Sequence, residues 1–448
     1  MSLQFQILGA SAKDAQGAYI ITLFGSDSEG KSVSLSITGF EPFFYIEIPS
    51  DWKRSDISTY EKYLIAKSRL IKDEPASVSI TTEKHKTFWD FTNGKLLTFL
   101  KVQATSKRVW TKLRNTCMNS DTAAPIPVTL GKKTYTLRVF EANIDPMLRF
   151  FHMRELKPAG WATVPEGEYD DDDSTNASTS VQMTADWASI RPAPDSVQLT
   201  SAPLRILSWD IECTSSHGDF PLAKKTWRKP AREIVESEYD FTDWEDAMNA
   251  LCGAVGGRSD ILSRIYLGKY GEREFNQALS STSNDIKAEW EKLDMNADDV
   301  IDTIEALLNR YFPAPEGDPI IQIGSVLYVG GKAQQKDIFV LGDCDTLTSE
   351  GINVYPCKTE ADLIRGWCQR IDKLDPDSMV GYNIFGFDDK YLWDRATVTG
   401  CVAALKSFSR IHDKAPELQE KFLSSSAMGD NTFYVISAEG RLHIDLLA

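Results

Sequence analysis

The chain has little of what marks a secreted or membrane protein. No apolar run reaches 18 residues, which excludes an ordinary membrane-spanning helix. The opening Met-Ser-Leu-Gln-Phe-Gln has neither a basic nor an apolar targeting region, so secretion is not expected. The seven cysteines (117, 213, 252, 344, 357, 368 and 401) include no Cys-x-x-Cys pair, which argues against structural zinc and for reduced thiols inside a cell. Positive charge is also scarce: 49 Lys and Arg face 65 Asp and Glu.

That deficit is local. Glu166 to Asp173 holds six acids and no base, and Arg228 to Asp318 holds ten bases against twenty acids. Lys84 to Arg114, in contrast, has eight bases and one acid. A basic stripe on an acidic chain suits a protein that holds DNA along one groove. The 448 residues are enough for two to four domains, each with its own core.

The stretch with most chemical content is Leu204 to Cys213. Leu204, Ile206, Leu207 and Trp209 lead into Asp210-Ile-Glu212 and predict a buried strand. Alternation puts Asp210 and Glu212 on one face, about 7 Å apart. Paired carboxylates repel, and a hard divalent ion such as Mg2+ between them removes that cost. Alone, Asp-x-Glu is more often a solvated strand end. Met379 to Asp394 changes the balance: a short strand, a Gly-containing loop with Asn383, Phe387 and Asp388 in Asn-x-x-x-Phe-Asp, then a helix.

These two patterns resemble the first two exonuclease motifs of family B DNA polymerases. Asp318-Pro-Ile-Ile-Gln-Ile-Gly324 resembles the strand that this family places between them. Gly39-Phe-Glu-Pro-Phe-Phe-Tyr45 resembles a segment near the N-terminus of its delta-type members, and Tyr135 to Arg154 with Gly160-Trp161 is similar to large-DNA-virus polymerases. The resemblance implies an α/β plus β-rich chain: a mostly β N-terminal domain (1–163), a flexible acidic linker (164–200) and an incomplete ribonuclease-H-like 3′–5′ exonuclease domain (201–448). The linker expectation rests on the acidic Ser/Thr/Asn composition of 164–180. The order of strands and helices after residue 200 agrees with a ribonuclease-H-like sheet.

Residues 228–317 fall outside the family pattern and predict an acidic helical insertion. Thr242-Asp-Trp-Glu245 has the form of a capping box with Gly253 as a stop, and Val300 to Tyr311 carries a second apolar stripe. Further helices are expected over 58–72, within 91–117, and after Thr359. Phe433 to Leu447 reads as a hairpin turning at Glu439-Gly440.

The resemblance implies hydrolysis with two Mg2+ (or Mn2+) ions. In that scheme Asp210 bridges both metals, Glu212 holds the nucleophile-side metal, and Asp388 ligates the second. Asn383 contacts the terminal nucleotide. Phe220 is the candidate wedge at the unpaired primer end, with His217 a weaker claim beside it. Phe387 is either core or stacking surface. Lys107, Arg108, Lys112 and Arg114 are the candidate DNA-contacting bases of the stripe. The implied partners are primer and template DNA, with a sliding clamp or processivity factor reached through regions absent here. Location would be the host nucleus or a cytoplasmic viral replication site.

A third family motif, Tyr-x-x-x-Asp, is missing from its expected place, and so are the polymerase motifs. Tyr239-Asp-Phe-Thr-Asp243 has the spacing but lies in the insertion. The expectation is therefore an N-terminal polymerase fragment with little nuclease activity of its own. A free-standing exonuclease and a non-catalytic DNA-binding remnant of the same fold are the other readings.

Overall fold

The computed structural model describes residues 2–71, 74–86, 93–172, 177–215, 218–345, 350–411, 413–425 and 429–447. His217 lies outside them.

The N-terminal third is built on sheets. A seven-stranded sheet runs in the order Tyr169–Asp171, Val181–Asp186, Ser32–Thr38, Ala18–Ser26, Leu3–Ala15, Trp161–Val164, Arg191–Pro192. One core gathers Phe5, Ile21, Leu35, Phe40 and Phe150 against it. A four-stranded sheet (Val78–His85, Leu97–Ala104, Phe43–Glu47, Val139–Phe140) packs helices Arg54–Lys67 and Lys107–Cys117 into a second core. Both helices start near their expected places, and Ser106 caps the second through Val109 N–H.

The acidic linker expectation is corrected here. Residues 181–186 pair in parallel with 33–38, and 169–171 pair with 183–185, so much of 164–200 belongs to the first sheet. Composition misled because Asp170 and Asp171 stand in an edge strand, where exposed charges are tolerated and blunt edge pairing.

The C-terminal half holds a six-stranded sheet in the order Ile352–Cys357, Lys332–Leu341, Ile320–Val329, Arg205–Cys213, Ser378–Gly381, Leu442–Asp445. The three strands of the Arg205–Leu341 meander pair antiparallel, and Ser378–Gly381 joins Arg205–Cys213 in parallel. This mixed sheet with helices is the ribonuclease-H-like arrangement. Helix Glu360–Leu374, capped by Thr359 on Asp362 N–H, lays Leu363, Ile364, Trp367 and Ile371 on it. Trp209 meets Trp367 at 5.0 Å between ring centroids.

The hairpin expected over 433–447 does not form. Gly429–Ile436 pairs with Leu418–Ser425, while Leu442–Asp445 pairs in parallel with Ser378–Gly381. Buried Arg410 and Arg441 explain the split: both bind Asp375, and Arg410 also binds Asp377, which pins the 439–441 turn against the end of the sheet.

The insertion is helical as expected, with helices Arg228–Glu236, Trp244–Val255, Gly271–Trp290 and Val300–Tyr311 around a core of its own. Two details differ. Asp243 rather than Thr242 is the cap, accepting from Glu245 and Asp246 N–H, and the helix passes Gly253 to end at Val255. Both ends of the insertion return to one place: Asp318 N–H donates to Leu222 O at 2.8 Å, and Lys225 meets Asp318 at 2.6 Å.

Candidate carboxylate site and family

Strand Arg205–Cys213 alternates as the sequence requires. Leu207, Trp209 and Ile211 are buried, while Asp210 and Glu212 are exposed on the other face. Its parallel neighbour Ser378–Gly381 places Val380 opposite Ser208. The chain leaving Gly381 therefore arrives beside Asp210. A side chain at 381 would meet Ile384 at 2.3 Å and Trp209 O at 3.0 Å, so this approach requires glycine.

The loop 382–387 then turns, with Asn383 in the left-handed region at φ 60°, which asparagine tolerates better than most residues. Asp445, 7% exposed, holds that loop: its carboxylate accepts from Asn383 N–H at 2.8 Å and from Phe385 N–H at 2.9 Å. Helix Asp388–Val398 follows. Arg395 pins it from below by a buried pair with Glu360 at 2.6 Å, and Tyr391 Oη donates to Asp318 O at 2.9 Å.

Asp388 and Asp210 are thereby brought together from positions 178 apart in sequence. The Ile211 N–H lies between them, 3.0 Å from Asp210 Oδ1 and 3.3 Å from Asp388 Oδ1. The Asp388 carboxyl is pushed up to about 7, by burial first, then by the charge of Asp210 and the hydrogen bond shared with it. Among the described residues no base pairs with either carboxylate. Its all-oxygen donor set fits a hard divalent cation.

The third expected ligand stands on the expected face. Glu212 shares the face of Asp210, but among the described residues no three His, Cys, Asp or Glu side chains gather closely enough to hold a metal ion.

The aromatic candidates meet each other. Phe220 is 73% exposed and contacts Phe387 at 5.4 Å between centroids. Phe387 also leans on the sheet core, so it serves both as packing and as a backing for Phe220.

Each of the four candidate bases of the stripe has a partner on the protein. Lys107 pairs with Asp145, Arg108 and Lys112 both pair with Glu74, and Arg114 donates to Ala142 O. Trp110, interleaved with them in sequence, is buried in the core. Tyr239 is exposed and Asp243 caps a helix, so the Tyr-x-x-x-Asp spacing in the insertion has a local explanation.

Two buried acids beside the site were given no role by sequence reasoning. Asp445 binds the motif loop as described. Asp389, fully buried, accepts from Ile436 N–H at 2.9 Å and faces His443 at 3.5 Å. Burial raises the Asp389 carboxyl well above its ordinary range and lowers His443 to about 4, so the imidazole is neutral near pH 7. For Asp445 the signal was an Asp closing the short apolar strand at 442–445, within Gly440-Arg-x-x-x-Asp-Leu446.

Known proteins match this arrangement. The family model for the DNA polymerase family B exonuclease domain matches residues 137–229 and 298–448, leaving out most of the insertion. A DNA polymerase of Pyramimonas orientalis virus is 31% identical over 96% of this chain and 38% of its own length. A DNA polymerase of Acanthamoeba polyphaga mimivirus is 26% identical over 86% of this chain and 17% of its own length. The DNA polymerase delta catalytic subunit of Dictyostelium discoideum is 24% identical over 95% of this chain and 30% of its own length. The chain thus spans less than two fifths of the length of these relatives. With a family model covering more than half of its residues, the chain belongs to DNA polymerase family B, through that family's exonuclease domain.

Proposed function

We propose that this chain carries the 3′–5′ exonuclease of a replicative family B DNA polymerase, the whole protein synthesising DNA on a template. The observation that carries the reading is the juxtaposition of Asp210 and buried Asp388, whose carboxyl is raised to about 7 beside a strand and a helix that hold both in place.

In this reading Asp210, Asp388 and Glu212 would hold two Mg2+ or Mn2+ ions. Bound there, such ions supply a nucleophilic water at neutral pH and stabilise the charge developing on the phosphate. The chain's own groups do the positioning. Ile211 N–H orients both aspartates, the Asp445-anchored loop presents Asn383 to the terminal nucleotide, and Phe220 backed by Phe387 meets the end of the unpaired strand. The partner is DNA, with a clamp or processivity factor contacted outside these residues. Replication at a host nucleus or a cytoplasmic viral site follows from the same reading.

The test is metal-dependent stability. Mn2+ should raise the melting temperature of this chain, and Asp210→Ala or Asp388→Ala should each remove the rise. A rise that survives both substitutions would sink the metal assignment. No rise at all would favour the non-catalytic remnant.

A further inference from the structure

The insertion helices build one wall of a pocket beside the carboxylate site. The cavity, about 180 Å3, lies between the 219–226 loop and the insertion's 228–236 and 263–266 segments. Its walls are largely apolar, formed by Phe220, Leu222, Ile265, Tyr266 and Pro315. It is tightly constructed. Glu316 N–H donates to Tyr266 O at 2.7 Å, Leu222 N–H donates to Asp318 Oδ2 at 3.0 Å, and a Cβ at Gly317 would strike Ala223 O.

Three features define what fits. First, one lining residue reaches toward the proposed active site: Phe220 lines the pocket and touches Phe387, the residue preceding Asp388. Second, two partly exposed rings, Phe220 and Tyr266, line the same space, and the Arg264 guanidinium sits 4.8 Å from the Tyr266 ring centroid. Third, five bases and four acids line the pocket, and three of the bases, Arg228, Lys229 and Arg264, come from the insertion. The pair Lys229–Asp219 at its rim is solvent-exposed, and such a pair yields readily to a phosphate.

Resting on the exonuclease reading, we propose that this pocket receives a nucleobase of the single strand whose 3′ end lies at Asp210 and Asp388. The insertion 228–317 is then one jaw of the strand's path, stacking a base against Tyr266 while Arg264 and Lys229 meet the adjoining phosphates. Rings with cations beside them bind single strands with little regard to sequence, which suits a site that meets any primer end.

The experiment uses the whole chain and a short oligothymidylate with one 2-aminopurine, moved stepwise from the 3′ end, in Ca2+ buffer. Fluorescence should be quenched strongly at one interior position as well as at the terminus. Tyr266→Ala should lift the interior quenching and weaken binding about fivefold or more, while Tyr266→Phe retains both. Unchanged quenching and affinity in Tyr266→Ala would overturn the proposal. So would absence of oligonucleotide binding by the parent chain, or quenching only at the terminus. If Mn2+ still stabilises the parent through Asp210 and Asp388 in those cases, the exonuclease reading stands and only the role of the insertion falls.

Discussion

Asp388 is held where its charge is unwelcome. Its carboxyl moves from an ordinary 3.8 to about 7, so the folded state binds this proton more tightly than the unfolded chain does. Stability from this group is therefore full below about pH 4, falls as pH rises toward 7, and is flat above. In metal-free buffer at pH 8, Asp388→Asn should stabilise the chain, by on the order of 1–4 kcal/mol, with the difference closing toward pH 4. Denaturation midpoints across that range measure it, and an Asn variant less stable than the parent at pH 8 would contradict the repulsion. The same variant should lose its response to Mn2+, the expected trade of stability for function at such a site. Asp445 acts through its hydrogen bonds. It accepts three backbone N–H groups, from Asn383, Phe385 and Leu447. Asp445→Ala should cost roughly 2–4 kcal/mol by leaving them unsatisfied, and Asp445→Asn should recover part of that. Amide exchange at 383 and 385 should quicken in the Ala variant; protection equal to the parent's would rule out the anchoring role.

Helix Asp388–Val398 depends on a buried pair more than on its own caps. Phe387 makes no side-chain cap, whereas Arg395 reaches Glu360 at 2.6 Å and Ala223 O at 2.9 Å. Arg395→Met should cost about 3–5 kcal/mol because Glu360 is left buried and charged. Urea midpoints would show this, and a loss under 1 kcal/mol would mean that Glu360 finds water or a proton. Strands and helices themselves were legible from pattern. The Ile320–Val329 strand and the Thr359 cap are local facts of alternation and side-chain chemistry. Strand partners were not. The apolar runs on either side of Gly440 look like one hairpin, but Arg410 and Arg441 divert them to different sheets. The acidic run likewise looked like a linker because composition does not show that an edge strand passes through it.

Across the molecule, the insertion stands as a separate unit. Its core residues Trp227, Phe275, Trp290 and Leu308 cluster apart from the Leu207–Trp367 core of the sheet, and its ends meet at Lys225 and Asp318. Replacing 228–315 by a short Gly-Ser linker should leave the six-stranded sheet folded, since loop closure there changes little. Circular dichroism, and persistence of Mn2+ stabilisation, check this; an unfolded product would show that the two cores depend on each other. The family match, which omits 230–297, supports the same division.

Short-range order carried Asp210 and Glu212 to one face, and put Asp388 at the head of a helix, because side-chain direction in a strand or first turn follows from spacing alone. Whether those acids meet is a different matter. Asp210 and Asp388 converge only because Ser378–Gly381 pairs in parallel beside Arg205–Cys213 and glycine at 381 lets the chain pass close to Trp209. The neutralising partners of Lys107, Arg108 and Lys112, the Asp445 anchor and the Phe220–Tyr266 pocket likewise come from distant segments. Such contacts depend on packing and on which long-range pairs offset the entropy of loop closure, and periodicity along the chain does not encode them.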